Sequence, residues 1–244
     1  MGQEALARAK GSLHTARGGH MGLAGDRALP LVAGLADLFP EGGLRRGSTV
    51  SLSTRPSVGV SAPAGTGGAT SLALALLGGP SAAGAWCAVV GVADLGFVAV
   101  AQSGTDLARL AFVPAPGPRW AAVVATLLEG FEVVVLQPPA PPRQVEANNL
   151  EARSRERGTV LVVLGCPSWP GRPDLCLEVV GGGWRGLGDG FGYLAGRDLE
   201  VVATGRGSAS KLRRGRVCLG GPAELAVLAV PDVDRPAPAL PAPA

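Results

Sequence analysis

Aromatic side chains are scarce in this chain. They make up 4% of 244 residues, with one Tyr, five Phe and four Trp. A core built on packed rings is therefore excluded, and the interior has to come from Val, Leu and Ala. Histidine is scarcer still. His14 and His20 are the only two, and both lie in a Gly-rich N-terminal stretch. That argues against a Ser-His-Asp hydrolase, and no serine sits in a GxSxG elbow. The four cysteines, Cys87, Cys166, Cys176 and Cys218, form no CxxC pair, so no zinc spacing exists and no metal is expected. Cys87 and Cys218 lie in apolar runs and read as core thiols of a reducing, cytoplasmic protein. A twenty-residue apolar helix is also missing. Residues 56–93 carry no charge, but Pro63, Pro80 and many glycines interrupt them. The opening MGQEALARAK is polar and helical, unlike a signal peptide.

What is present is a large apolar fraction, 47%, against 17% charged residues, which suits a sizeable core. The 38 glycines and 21 prolines are spread through ordered patterns rather than low-complexity runs. The exception is the Pro/Ala tail. The expected organisation is an N-terminal helix (3–10) and flexible segment over 1–30, one α/β domain over 31–230, and a disordered tail over 231–244.

Within the domain, 31–38 reads as a short apolar helix, and STVSLS (48–53) as a strand. A Gly-rich loop (62–68) leads into a helix from Ala69 to Leu77, which Gly78-Gly79-Pro80 is expected to stop. Strands are expected at 86–92, within 107–114, at 131–137 and at 159–165. Helices are expected at 95–104, 118–129 and 144–158. This alternation predicts a mostly parallel sheet flanked by helices. From 175 onward the pattern changes to LCLEVV (175–180), 192–205, RVCLGG (216–221) and LAVLAV (225–230), short strands expected to extend the sheet edge antiparallel.

A strand, a Gly-rich loop and a helix form the setting of a phosphate-binding loop, whose motif is GxxxxGK[ST]. Here the first glycine position holds Ala62. Gly65 and Gly67 keep the loop permissive, but the lysine position holds Gly68 and the hydroxyl position Ala69. Thr70 and Ser71 follow one and two residues later, at about 100° of helix turn each, and point elsewhere. The magnesium-holding acid should stand at the tip of the 131–137 strand, where Gln137 is found instead; Glu132 lies at the wrong end. Asp94, beyond the 86–92 strand, is the one acid near the position of a water-activating carboxylate. Phosphoryl transfer relies on positioned charge, so no catalytic residue and no cofactor are expected. GGGWRG (181–186) matches GxGxxG but no helix follows it, so it reads as hairpin turns.

Net charge is +3. Arg206, Lys211, Arg213, Arg214 and Arg216 cluster with no acid among them, either a phosphate-binding patch or a solvated hairpin. Arg153, Arg155 and Arg157 make a second basic face, but Glu151 and Glu156 share that helix, which reads as solvated.

LADLFPEGGLRRGSTVSL, SAPAGTGGATSLALALL, GTDLARLAFVPAPG (104–117) and EVVGGGWRGLGDGFGYLAGRDLEVVATGRG (178–207) resemble, in that order, the RecA superfamily, and within it the ImuA-type branch of SOS mutagenesis accessory proteins. The resemblance implies a RecA-like α/β fold with a degenerate phosphate-binding loop. It also implies a non-catalytic role in damage-induced translesion synthesis beside an inactive Y-family polymerase homologue of the ImuB type and an error-prone replicative-type polymerase. Three alternatives stay open: a module that binds single-stranded DNA and modulates recombination, a cell-division inhibitor of the SulA type, and a cryptic ATPase using Asp94.

Overall fold

The structure, a computed structural model, describes residues 27–32, 34–55, 68–166, 169–187 and 192–220. The expected helix at 3–10, both histidines, Ala62 through Gly67, the expected strand at 225–230 and the tail lie outside the described residues. The strands are β1 (Ala28–Leu29), β2 (Leu44–Arg45), β3 (Thr49–Thr54), β4 (Cys87–Val90), β5 (Leu110–Val113), β6 (Val133–Leu136), β7 (Val160–Leu164), β8 (Leu175–Leu187), β9 (Gly192–Gly205) and β10 (Arg213–Gly220). The helices are α1 (Ala69–Ala82), α2 (Phe97–Gln102), α3 (Trp120–Leu127) and α4 (Gln144–Arg157).

Eight strands form one mixed sheet in the order β10-β9-β8-β3-β7-β6-β4-β5. From β8 to β5 every pairing is parallel, while β9 is antiparallel to both β8 and β10. The expected α/β architecture, with an antiparallel extension at one edge, is therefore what the chain adopts. The cause is visible in the strands. CAVV, VVVL and VLVVL are buried at every position, because helices cover both faces of a parallel sheet and no face is left for polar residues. One apolar cluster joins α1 and Val100 of α2 to β3, β7 and β8. A second, on the opposite face, joins α3 and α4 to β4, β6 and β7 around Trp120, Leu128 and Leu150. Among the described residues, no helix is long and apolar enough to cross a membrane.

Four local expectations are corrected. The helix expected at 31–38 is replaced by a single 3-10 turn, Ala36–Leu38; Gly34, at φ 86°, takes a left-handed conformation that an α-helix cannot include. Helix α1 does not stop at Gly78-Gly79-Pro80 but continues to Ala82. Those glycines serve close packing instead. A Cβ on Gly78 would stand 2.0 Å from the Ser103 carbonyl oxygen, and one on Gly79 2.5 Å from that of Pro30. GGGWRG does not form turns. It runs inside β8, whose pairing with β9 slips at Val179/Gly181 and again at Arg185/Leu187. Cys218 is half-buried rather than a core thiol, whereas Cys87 is buried.

Candidate functional site at the carboxyl edge of the sheet

In open α/β sheets ligands bind beyond the carboxyl ends of the parallel strands. Here that edge brings together the end of β3, the start of α1, and the residues following β4, β6 and β7. Gly68 caps α1 at φ 105° and accepts a 2.9 Å hydrogen bond from the Leu72 N–H. This is the lysine position of the phosphate-loop pattern, and it is crowded. A Cβ placed on Gly68 would stand 2.6 Å from Leu199 Cδ2 and 3.4 Å from Arg197 Nη2, both on β9. Leu199 is only 1% exposed and belongs to the main core cluster. The antiparallel hairpin thus packs core against the point from which a lysine would extend. Ala69, in the hydroxyl position, is buried in the same cluster.

Arg197 stacks over the Trp184 ring at 4.7 Å from its centroid. Burial pulls its guanidinium below the ordinary arginine value. Arg197, Trp184, Leu199, Thr54 and Arg55 line a cleft of about 210 Å³. Arg55 is held bidentate by Glu178, at 3.1 and 2.7 Å. That hydrogen-bonded carboxylate raises the Arg55 pKa.

The acid positions are equally plain. Gln137 follows β6 directly, half-buried, and its N–H donates to the Val90 carbonyl at 2.9 Å. A neutral amide therefore stands at the tip of β6, beside Gly91. Glu132 sits at the opposite end of that strand, where its carboxylate accepts the Trp86 N–H at 2.7 Å. Asp94 is exposed in the turn after β4. Among the described residues, no group of three or more His, Cys, Asp or Glu side chains could hold a metal ion.

The basic cluster at 206–216 divides. Arg206 is anchored at the amino end of the sheet, where Nε donates to the Pro173 carbonyl at 3.1 Å and Nη2 to that of Arg172; the guanidinium also stands 3.8 Å from Asp174. Asp174 in turn accepts the Thr49 N–H at 2.9 Å and pairs with Arg45, so Arg206 completes a brace between β3 and β8. Arg216 pairs with Glu200 at 3.2 Å. Lys211, Arg213 and Arg214 remain without an acid partner among the described residues.

Helix α4 holds a feature the sequence reading missed. Glu151, expected on a solvated face, is 3% exposed. Its Oε1 accepts from Trp169 Nε1 at 2.9 Å and from the Arg172 N–H at 2.8 Å, fastening the 169–172 loop onto the second core. Only Trp169, in the segment between β7 and β8, could have hinted at a buried partner.

The chain is similar to Rv3395c, an uncharacterized protein of Mycobacterium tuberculosis, with 34% identity over 164 residues that cover 62% of this chain and 79% of that protein. The family model described as the MT3502 N-terminal domain matches residues 37–171, from the turn before β2 through β7 and the loop that Glu151 fastens. That match spans more than half of the chain, which therefore belongs to the MT3502 N-terminal domain family.

Proposed function

We propose that this is a RecA-like protein without catalysis, an accessory of a damage-induced translesion-synthesis complex that acts through protein contacts. The observation carrying the proposal is the packing at Gly68. Around it stand a mostly parallel sheet, a glycine-capped helix after a central strand, and an antiparallel hairpin at one edge, an arrangement that supports reading the domain as RecA-like. Yet Leu199 and Arg197 stand where a lysine would extend, and Gln137 stands where an acid would hold magnesium. A site that had merely lost a lysine would leave space for it. Here the core side chain Leu199 presses against Gly68 instead, which supports a scaffold that acts through its surface.

The partners proposed are the inactive Y-family polymerase homologue and, through it, an error-prone replicative-type polymerase; both come from the family resemblance of the sequence. A strain lacking this chain is expected to lose most of its damage-induced mutagenesis while keeping its spontaneous mutation rate. Unchanged damage-induced mutation frequency in that strain would sink the proposal. Binding of single-stranded DNA is a second reading that Lys211, Arg213 and Arg214 alone favour, since Arg206 and Arg216 are tied to acids. Phosphate-driven binding would weaken steeply with salt.

A further inference from the structure

Strand β5 is the last strand of the sheet, and among the described residues it pairs only with β4. All four of its residues are half-buried, whereas β4 and β6 are buried throughout. The Gly91 N–H donates to the Val113 carbonyl, so Val113 and, by alternation, Ala111 turn their peptide groups toward β4. Leu110 and Phe112 turn theirs outward. The Leu110 N–H is used by the Leu107 carbonyl, which leaves the Leu110 carbonyl and both peptide groups of Phe112 along the open edge.

Edge strands of this kind are normally guarded by a lysine, a proline, a bulge or a covering element. LAFV has none within it. The flank is apolar instead. Phe97 is 47% exposed, Val98 73% and Leu107 44%, and the Phe97 ring meets Phe112 edge-on at 5.1 Å. Exposed apolar side chains grouped beside a strand edge that is unpaired among the described residues form the kind of patch that marks an interaction surface.

We infer that this edge is a self-association surface, on which a second copy of the chain pairs β5 with β5 antiparallel about a two-fold axis perpendicular to the sheet. Such an axis keeps the Phe97 faces of both copies on one side of the seam. With Phe112 opposite its symmetry mate, each Phe112 N–H donates to the other's carbonyl, and the Phe97–Phe112 pairs meet across the axis. Charge permits the pairing. The acid and base at the flank, Asp106 and Arg109, stand 3.7 Å apart and neutralise one another, so this pair presents no net charge to a second copy. Area sets its strength. Three side chains and a four-residue edge fall short of the roughly 800 Å² per partner of a standard interface, so the dimer is weak and depends on concentration.

Sedimentation velocity of the full chain over a wide range of micromolar concentrations tests this. The weight-average mass should climb from monomer toward twice that value. Val98→Glu with Leu107→Glu should remain monomeric throughout, and Val98→Lys, of opposite charge, should do the same. Val145→Glu, at an exposed apolar site on α4, should behave like the parent. All these positions are exposed, so far-UV circular dichroism should be unchanged in every variant. A parent that stays monomeric, a dimer that survives the edge substitutions, or one lost equally in Val145→Glu would each overturn the inference.

Discussion

Replacing Gly68 by lysine restores the most conspicuous missing residue of the phosphate-loop pattern, and its effect can be worked out from the packing. Gly68 adopts φ 105°, where an L-residue stores on the order of 1–3 kcal/mol of strain. Its new Cβ would stand 2.6 Å from Leu199 Cδ2, and Leu199 is held inside the main core. Overpacking of that kind costs about 1–3 kcal/mol. Together Gly68→Lys should lose about 2–6 kcal/mol, a fall in Tm of roughly 5–20 °C for a chain of this size. Gly68→Ala meets the same strain and the same contact, so it should be destabilised to a similar degree without any added charge. Thermal unfolding followed by circular dichroism, with and without Mg-ATP, reads both variants. Neither should be stabilised by nucleotide. A lysine variant as stable as the parent, whose Tm rises by several degrees with Mg-ATP, would refute the reasoning by showing an open site that lacked only its cation.

Other outcomes follow from named contacts. Glu151→Ala strands the Trp169 indole N–H and the Arg172 N–H in a buried setting, and should cost about 2–4 kcal/mol in urea unfolding; Glu151→Gln, which keeps an acceptor, should cost clearly less. Burial, and secondarily the charge of Glu132, pushes the Cys87 thiol up to about 12. The thiol of the unfolded chain ionises near 9, so the stability linked to Cys87 is complete below that pH and is lost as pH rises toward 12. Cys87→Ala should flatten that alkaline decline, and native Cys87 should resist alkylation at pH 8. Arg206→Ala should lower Tm by removing the brace at Asp174, while Lys211→Ala should leave Tm unchanged.

The sheet was largely legible from the sequence because parallel strands buried on both faces must read as unbroken apolar runs, and VVVL and VLVVL do so. The start of α1 at Ala69 and the neutral residue at Gln137 were readable as well, since each depends on one position in a known motif. Contacts between distant segments were not. Nothing in Gly78-Gly79-Pro80 says that Ser103 and Pro30 press against α1 and make glycine necessary there without ending the helix. The role of Leu199 depends on the register of β9 against β8, which two slips in that pairing conceal. Glu151 sits in a helix as charged as any solvated one, and its burial is set by a tryptophan in a different segment.

The most direct test of the central claim is titration calorimetry of the full chain with the Y-family polymerase homologue encoded nearest to it, with and without Mg-ATP. The account predicts a stoichiometric complex whose affinity is the same in both buffers. No complex in either buffer, or a complex that forms only with Mg-ATP, would contradict it.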